Sequence, residues 1–280
     1  MPISDPLVTA EWLAARLGSP AVRILDATWF MAASGRDGRA EYEQAHIPGA
    51  RFFDIDAISD RESDLPHMLP PPGAFAAAVA ALGVANDDCI VVYDAHGLFS
   101  APRAWWMFRA MGHDDVRVLD GGLPRWRAEG RPLDRGAPPP ATPARFTASF
   151  RPELVRSLDQ VSRTLGKGQV VDARPAPRFR GETPEPRPGL RLGHMPGARN
   201  LPYAGLLSPD GAMRPKAELA QVFADAGVDP RRPLTASCGS GISATIVLLA
   251  MARLGEEGAL YDGSWTEWGA REDIPIESGA

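Results

Sequence analysis

The 280-residue chain reads as an α/β protein: one small domain repeated in tandem, each copy a parallel sheet with helices on both faces. Three observations carry this reading. His46-Ile47-Pro48-Gly49-Ala50-Arg51 returns as His194-Met195-Pro196-Gly197-Ala198-Arg199, half a chain later. Leu119-Asp120-Gly121-Gly122 with Trp126 returns as Tyr261-Asp262-Gly263-Ser264 with Trp268, and apolar runs ending at Tyr93-Asp94 and Ser237-Cys238 lie between these landmarks. Landmarks in one order at nearly one spacing mark a duplicated domain. Short β-branched runs also alternate with helical patterns, which implies parallel pairing.

The elements follow in order. In the first half, Val22–Ala27, Ile90–Tyr93 and Val116–Leu119 are short apolar runs expected to be strands. Ala40–Ala45, Ala74–Leu82 and Ala101–Met111 are expected helices. Gly136–Pro143 holds four prolines in GAPPPATP and can join neither a helix nor a central strand. It reads as a linker, spanning 136–149 between domains at 1–135 and 150–280. In the second half, Ser157 and Gln160 form a capping box that opens a helix to Leu165. The strand Gln169–Ala173 follows, then the helix Lys216–Ala226, stopped by Gly227. Leu234–Ser237 is a strand, Ser243–Leu254 a helix, Gly258–Tyr261 a strand and Ser264–Trp268 a helical turn.

Composition narrows the function. A net charge of −5 offers no surplus to neutralise phosphates, so no nucleic-acid partner is expected. Apolar runs such as Ile242–Ala252 are too short to span a bilayer, so no membrane is expected either. Asp5 and Glu11 stand where a secretory leader would be basic, and a cytoplasmic protein is the expectation. The two cysteines, Cys89 and Cys238, cannot build a disulfide framework or a four-ligand zinc site, and no metal is expected. Arginine is the default cation here, since Lys167 and Lys216 are the only lysines, so an arginine needs more than its presence to count.

The loop Cys238-Gly239-Ser240-Gly241-Ile242-Ser243-Ala244 joins an expected strand to an expected helix. Ligand sites of open α/β sheets lie at the carboxyl ends of strands, where Cys238 falls. Gly239 and Gly241 free the loop to turn its N–H groups inward, and the helix adds its positive end. An anion on Cys238 is then stabilised without a metal, which makes it a candidate nucleophile. A buried packing cysteine is the commoner fate of a free thiol, but glycines at a strand-to-helix turn fit that poorly. Cys89 lies at a strand start, away from any such turn, and reads as packing. The first-domain position matching Cys238 is Asp94, which cannot attack sulfur.

The duplicated domain, the HxPGA landmarks and the CGSGIS loop resemble the tandem-domain rhodanese family over nearly the whole chain. Within it the loop resembles the CGSG[VI][TS] form of the 3-mercaptopyruvate branch rather than the CRKGV form of thiosulfate enzymes. Ile242 for Val and Ser243 for Thr keep shape and hydroxyl chemistry. Phe179-Arg180-Gly181 through Glu185-Pro186-Arg187, Phe52-Phe53-Asp54-Ile55-Asp56 and His67-Met68-Leu69-Pro70 resemble the same branch.

The resemblance implies a Cys238 nucleophile that takes sulfur as a persulfide, and Arg178 and Arg187 as the cations that bind a 2-oxo acid. It implies a proton relay of Ser240 with His67 and Asp56, formed across the domains, and substrate contacts from Gly239, Gly241, Ile242 and Ser243. Arg174 and Arg180 read as structural or supporting. The implied enzyme takes sulfur from 3-mercaptopyruvate, releases pyruvate, and passes the sulfur to a thiol, a thioredoxin-like protein or cyanide, with no cofactor. Thiosulfate as donor and a non-enzymatic sulfur-relay partner are the competing readings. A cysteine phosphatase needs Cys-x5-Arg, whereas the sixth residue after Cys238 is Ala244.

Overall fold

The computed structural model describes residues 5–279. The first domain orders its elements as β1 (Leu7–Val8), α1 (Ala10–Ala14), β2 (Val22–Asp26), α2 (Gly38–Gln44), β3 (Arg51–Phe52), α3 (Pro72–Ala81), β4 (Cys89–Tyr93), α4 (Ala101–Ala110), β5 (Val116–Leu119) and α5 (Gly122–Ala128). The second runs β6 (Val155–Arg156), α6 (Leu158–Thr164), β7 (Gln169–Asp172), α7 (Ala176–Phe179), β8 (Arg199–Asn200), α8 (Lys216–Asp225), β9 (Leu234–Ser237), α9 (Ala244–Leu254), β10 (Ala259–Tyr261) and α10 (Ser264–Trp268).

Each domain is a five-stranded parallel sheet, in the orders β1-β5-β4-β2-β3 and β6-β10-β9-β7-β8. The two orders superpose strand for strand, so the repeat seen in sequence is a repeat of topology. Both faces of each sheet are covered. Leu25, Ile90 and Val92 pack into one core while Ile24, Val91 and Tyr93 pack into another on the opposite face. Such two-sided burial explains why these strands read as continuous apolar runs rather than alternating ones.

Local signals act as expected at several ends. Both bonds of the Ser157–Gln160 capping box are present, and Gly227 takes φ +66° just past α8. Other ends shift. Asp37 caps α2, accepting from the Ala40 N–H at 3.0 Å, so this helix starts at Gly38 rather than Ala40. Pro72 opens α3 two residues before Ala74, its missing N–H being no loss in a first turn. The two-residue edge strands β1, β3, β6 and β8 were not foreseen, because two residues carry no periodicity.

The segment 136–149 has no regular structure, as its prolines require, but its second part is no free tether. Ala144 N–H donates to Ala80, Ser149 N–H donates to Met111, and Phe146 packs against Phe75 and Phe108. The domains meet through α4, buried along its whole length, and α9, and one apolar core runs across the boundary. Among the described residues no helix is long and apolar enough to cross a membrane.

The duplication is unequal at one buried carboxylate. Asp172, ending β7, is held by Arg174 two residues on, with Nη2–Oδ2 at 2.6 Å. Its counterpart Asp26, ending β2, has Thr28 there and accepts the Thr28 N–H at 2.9 Å. Burial, reinforced by the charge of Asp94 and opposed by the Thr28 hydrogen bonds, pushes Asp26 up to about 6. A raised folded-state value means the folded chain holds this proton more tightly. The stability it contributes is complete below about 3.8 and is lost as pH rises through about 6. Asp26→Asn should therefore raise the unfolding free energy at neutral pH by about 1–3 kcal/mol and change little in acid. Denaturant titrations at the two pH values check this, and an equal gain at both would remove the ionisation argument.

Candidate active site

Cys238 follows β9 directly and is buried, at the carboxyl end of the central strand of its sheet. The turn after β10 holds the loop in place. Ser264 Oγ accepts the Cys238 N–H at 3.2 Å, while Trp265 and Thr266 N–H groups donate to the Cys238 and Gly239 carbonyls. Gly241 has φ +75°, a left-handed backbone that favours glycine. Among the described residues, the N–H groups from Gly239 to Ala244 donate to no carbonyl or side-chain oxygen. Six unpaired donors lead into an eleven-residue helix, a place where backbone N–H groups are able to hold an anion.

The first domain shows what that nest prefers. Asp94 follows β4 as Cys238 follows β9. Its Oδ2 accepts the N–H groups of Phe99, Ser100 and Ala101, each at 2.8 Å, and its Oδ1 accepts His96 N–H at 2.8 Å. The copy with Asp94 at the Cys238 position thus fills the matching loop with a built-in carboxylate. In the copy with Cys238 the donors are left for a charge on sulfur or on a bound group.

Three residues of the first domain form a bonded cluster on the other side of the domain boundary, and Arg187 joins it through His67. His67, buried, holds Asp56 Oδ1 at 2.6 Å through Nδ1, and Trp29 Nε1 donates to the other carboxylate oxygen at 2.9 Å. The Trp29 ring also meets the imidazole edge-on at 4.8 Å. Burial would raise Asp56, but the bonds from His67 and Trp29 and the charge of Arg187 outweigh it and hold it below the usual range. Burial, with Arg103 and Arg187, lowers His67 against the pull of Asp56. The imidazole is then neutral near pH 7. The network assigns its proton to Nδ1, since Arg187 Nη2 lies 3.1 Å from Nε2 and can only donate.

The arginines differ. Arg187 is half-buried, and among the described residues no carboxylate lies within 4.0 Å of it; a charge on Cys238 and that of Asp56 act on it from a distance. Arg178 pairs with Glu185 through Nε and Nη2, and a Cβ on Gly239 would come within 3.1 Å of that Nη2. Arg178 therefore lies against the Cys238 loop. Arg174 is fully buried between Asp172 and Glu185 and over the Trp265 ring, and Arg180 is paired with Glu182 on the surface.

Ser240 is buried in the loop, but among the described residues its hydroxyl bonds to nothing, and His67 Nε2 faces Arg187 instead. Ile242 packs in the core, and Ser243 precedes α9 without capping it through its side chain. Cys89 begins β4, where burial and Asp115 push its thiol up to about 11. The sequence reading passed over Trp29 and Glu185, which orient Asp56 and Arg178. No short-range pattern marks either. A groove of about 750 Å³ opens beside Asp56, His67, Arg187 and Thr266.

The fold is a pair of parallel α/β domains, with a buried cysteine at the carboxyl end of a central strand, beside unpaired N–H groups and near two arginines. The rhodanese-like domain family model matches residues 9–129 and 157–271, and the chain belongs to that family. It is 47% identical over 276 residues to the 3-mercaptopyruvate sulfurtransferase of Escherichia coli K12, covering 96% of this chain and 97% of that protein. It is 44% identical over 298 residues to the mitochondrial thiosulfate/3-mercaptopyruvate sulfurtransferase 1 of Arabidopsis thaliana, covering 98% of this chain and 79% of that one. A crystal structure of a 3-mercaptopyruvate sulfotransferase from Escherichia coli matches with a TM-score of 0.86 at 43% identity, over 94% of this chain and 99% of that one.

Proposed function

We propose that this chain is a 3-mercaptopyruvate sulfurtransferase whose sulfur passes through a persulfide on Cys238. The observation that carries this is Arg187, a half-buried guanidinium without a carboxylate partner among the described residues, set beside both His67 and the thiol loop. A 2-oxo carboxylate is a planar anion that such a fork binds through two hydrogen bonds. Arg178, already sharing Glu185, serves the keto oxygen.

The Cys238 thiolate attacks the substrate sulfur. An S–S bond forms, the C–S bond breaks, and its electron pair becomes the enolate of pyruvate. The proton of the substrate thiol passes to the enolate carbon, leaving a persulfide anion in the nest and neutral methyl on pyruvate. His67, neutral and oriented by Asp56, is the carrier for that proton. Closing the relay to Ser240 requires Arg187 to turn from Nε2, and the substrate carboxylate supplies the reason to turn. An acceptor thiol, thioredoxin-like protein or cyanide then attacks the outer sulfur, and Cys238 leaves as thiolate.

Thiosulfate as donor is the second reading, favoured by the double name of the Arabidopsis relative and opposed by the neutral Gly239-Ser240 pair. The proposal includes domain boundaries at 1–135 and 150–280 and a cytoplasmic location, which cell fractionation tests. Intact mass spectrometry after a donor panel tests the rest. Mercaptopyruvate should add about 32 Da, one sulfur atom, removed by cyanide, with pyruvate released. Loading from thiosulfate alone would establish the second reading. Loading only from a cysteine desulfurase, with no pyruvate formed, would make the chain a relay partner.

A further inference from the structure

We propose that a row of half-exposed aromatic rings at the domain boundary is where a protein acceptor of the sulfur docks. The partner it fits carries its reactive cysteine in an apolar, uncharged face. The proposal rests on the reading of Cys238 given above. Phe30 tilts against His96 with ring centroids 4.6 Å apart, His96 against Phe99 at 5.1 Å, and Phe99 against Tyr203 of the second domain at 5.4 Å. His96 is exposed and the other three are partly exposed. Both ends of the row are tied to the site. Trp29, beside Phe30, meets the His67 ring, and its carbonyl lies 3.1 Å from His96 Nε2. Tyr203 N–H donates to the Ala173 carbonyl at 3.1 Å. Burial raises the Tyr203 phenol, with the charge of Arg178 opposing and that of Cys238 adding, so this ring stands within the field of the thiol.

The duplication shows that the fold does not require these rings. Phe30 stands four residues after Asp26, the strand-end carboxylate, and Ala176 stands four after its counterpart Asp172. His96 and Phe99 come two and five residues after Asp94, where Ser240 and Ser243 come after Cys238. The matching loops of the second domain are thus built of small residues, and only the copy with Asp94 carries rings. Contiguous aromatic surface left partly in water marks an interaction site rather than a core.

The row also says what kind of partner it fits. Cys238 is 2% exposed, so a sulfur on it is collected only by a thiol brought up to the domain boundary. The rings themselves are uncharged near neutral pH, and Arg36, stacked over Phe30 at 3.8 Å, is neutralised by two bonds to Glu41 at 2.6 Å. A matching face is therefore apolar. The groove beside Asp56 and His67 is of the other kind, with Asp60, Arg61 and Asp64 along its wall, and would hold a partner through charge. A small thiol covers one ring, whereas four rings in succession match a protein surface. On that surface the partner's thiolate attacks the outer sulfur, forming an S–S bond on the partner. The bond to Cys238 breaks, and Cys238 leaves as thiolate.

The test uses the full chain with Phe30→Ser, His96→Ala and the double variant, beside Asp60→Asn/Glu62→Gln/Asp64→Asn for the charged loop. Sulfur is loaded from mercaptopyruvate and discharged to reduced thioredoxin, to dithiothreitol or to cyanide, with thioredoxin followed through its reductase and NADPH. Loading and cyanide discharge should stay near those of the parent, since neither Phe30 nor His96 takes part in the sulfur chemistry. KM for thioredoxin should rise by about tenfold in each single variant and further in the double, as truncation of an interface aromatic does. Melting curves check the fold, and His96→Ala, at an exposed position, stands if Phe30→Ser melts early. An unmoved thioredoxin KM in a folded variant overturns the inference. Equal losses with all three acceptors also overturn it, by making the rings part of the common machinery. A rise only in the charge-removed loop would place the partner on the polar groove instead. A parent dimer that the ring variants turn into monomers, read by sedimentation, would make the row a face between copies. A parent that loads sulfur but passes none to thioredoxin overturns this inference alone, whereas a parent that loads none overturns the Cys238 reading with it.

Discussion

Cys238→Ser is expected to abolish sulfur loading and turnover, a loss of about a thousandfold or more, as removal of a nucleophile does elsewhere. Serine fits the space, since it is the smaller side chain, and the backbone bonds to Ser264, Trp265 and Thr266 do not involve the thiol. The melting curve should therefore stay close to that of the parent. What is lost is the thiolate, because a serine hydroxyl does not ionise at neutral pH even in a nest of N–H donors. Cys89→Ser should leave turnover nearly intact, since that thiol is pushed up to about 11 at the far end of its strand from the loops that bear the chemistry. Loss of activity in Cys89→Ser with normal melting would contradict a single nucleophile.

Arg187→Gly is expected to lower kcat/KM for mercaptopyruvate by about tenfold to a hundredfold, from charge-assisted hydrogen bonds worth roughly 1.5–3 kcal/mol. Arg187→Lys should fall too, because the charge survives but the fork does not. Arg178→Gly should fall within the same range but by less, since Glu185 already shares that guanidinium. Thiosulfate has no carboxylate, so its turnover should drop less than that of mercaptopyruvate in Arg187→Gly. Arg163→Gly, exposed on α6, serves as the control and should change neither donor. Equal losses on both donors would make Arg187 a general wall of the pocket rather than the reader of an oxo acid. No loss on either would return it to an ordinary surface cation.

The legible parts of this chain are those set by short-range physics. Doubled landmarks, apolar runs of strand length and the Ser157 capping box are local patterns, and they suffice for two parallel α/β domains. The glycines around Cys238 mark a strand-to-helix turn for the same reason, since they report what the backbone must do within a few residues. Two-residue edge strands fall below any period, so they form only because a neighbouring strand offers hydrogen bonds. The start of α2 was displaced by an aspartate cap, a contest between local signals that composition does not settle.

By itself the sequence determined the duplicated fold, the loop that carries Cys238 and the absence of a second cysteine at Asp94, because each is written in contiguous residues. Only the tertiary structure decided which side chains meet at the domain boundary. Asp56 and His67 come from one domain, Arg178 and Arg187 from the other, and their meeting depends on how α4 packs against α9. The same packing puts Arg187 rather than Ser240 at His67 Nε2. Charges so far apart in the chain meet only because apolar helices bury their faces against each other, and that burial is indifferent to the chemistry it brings together.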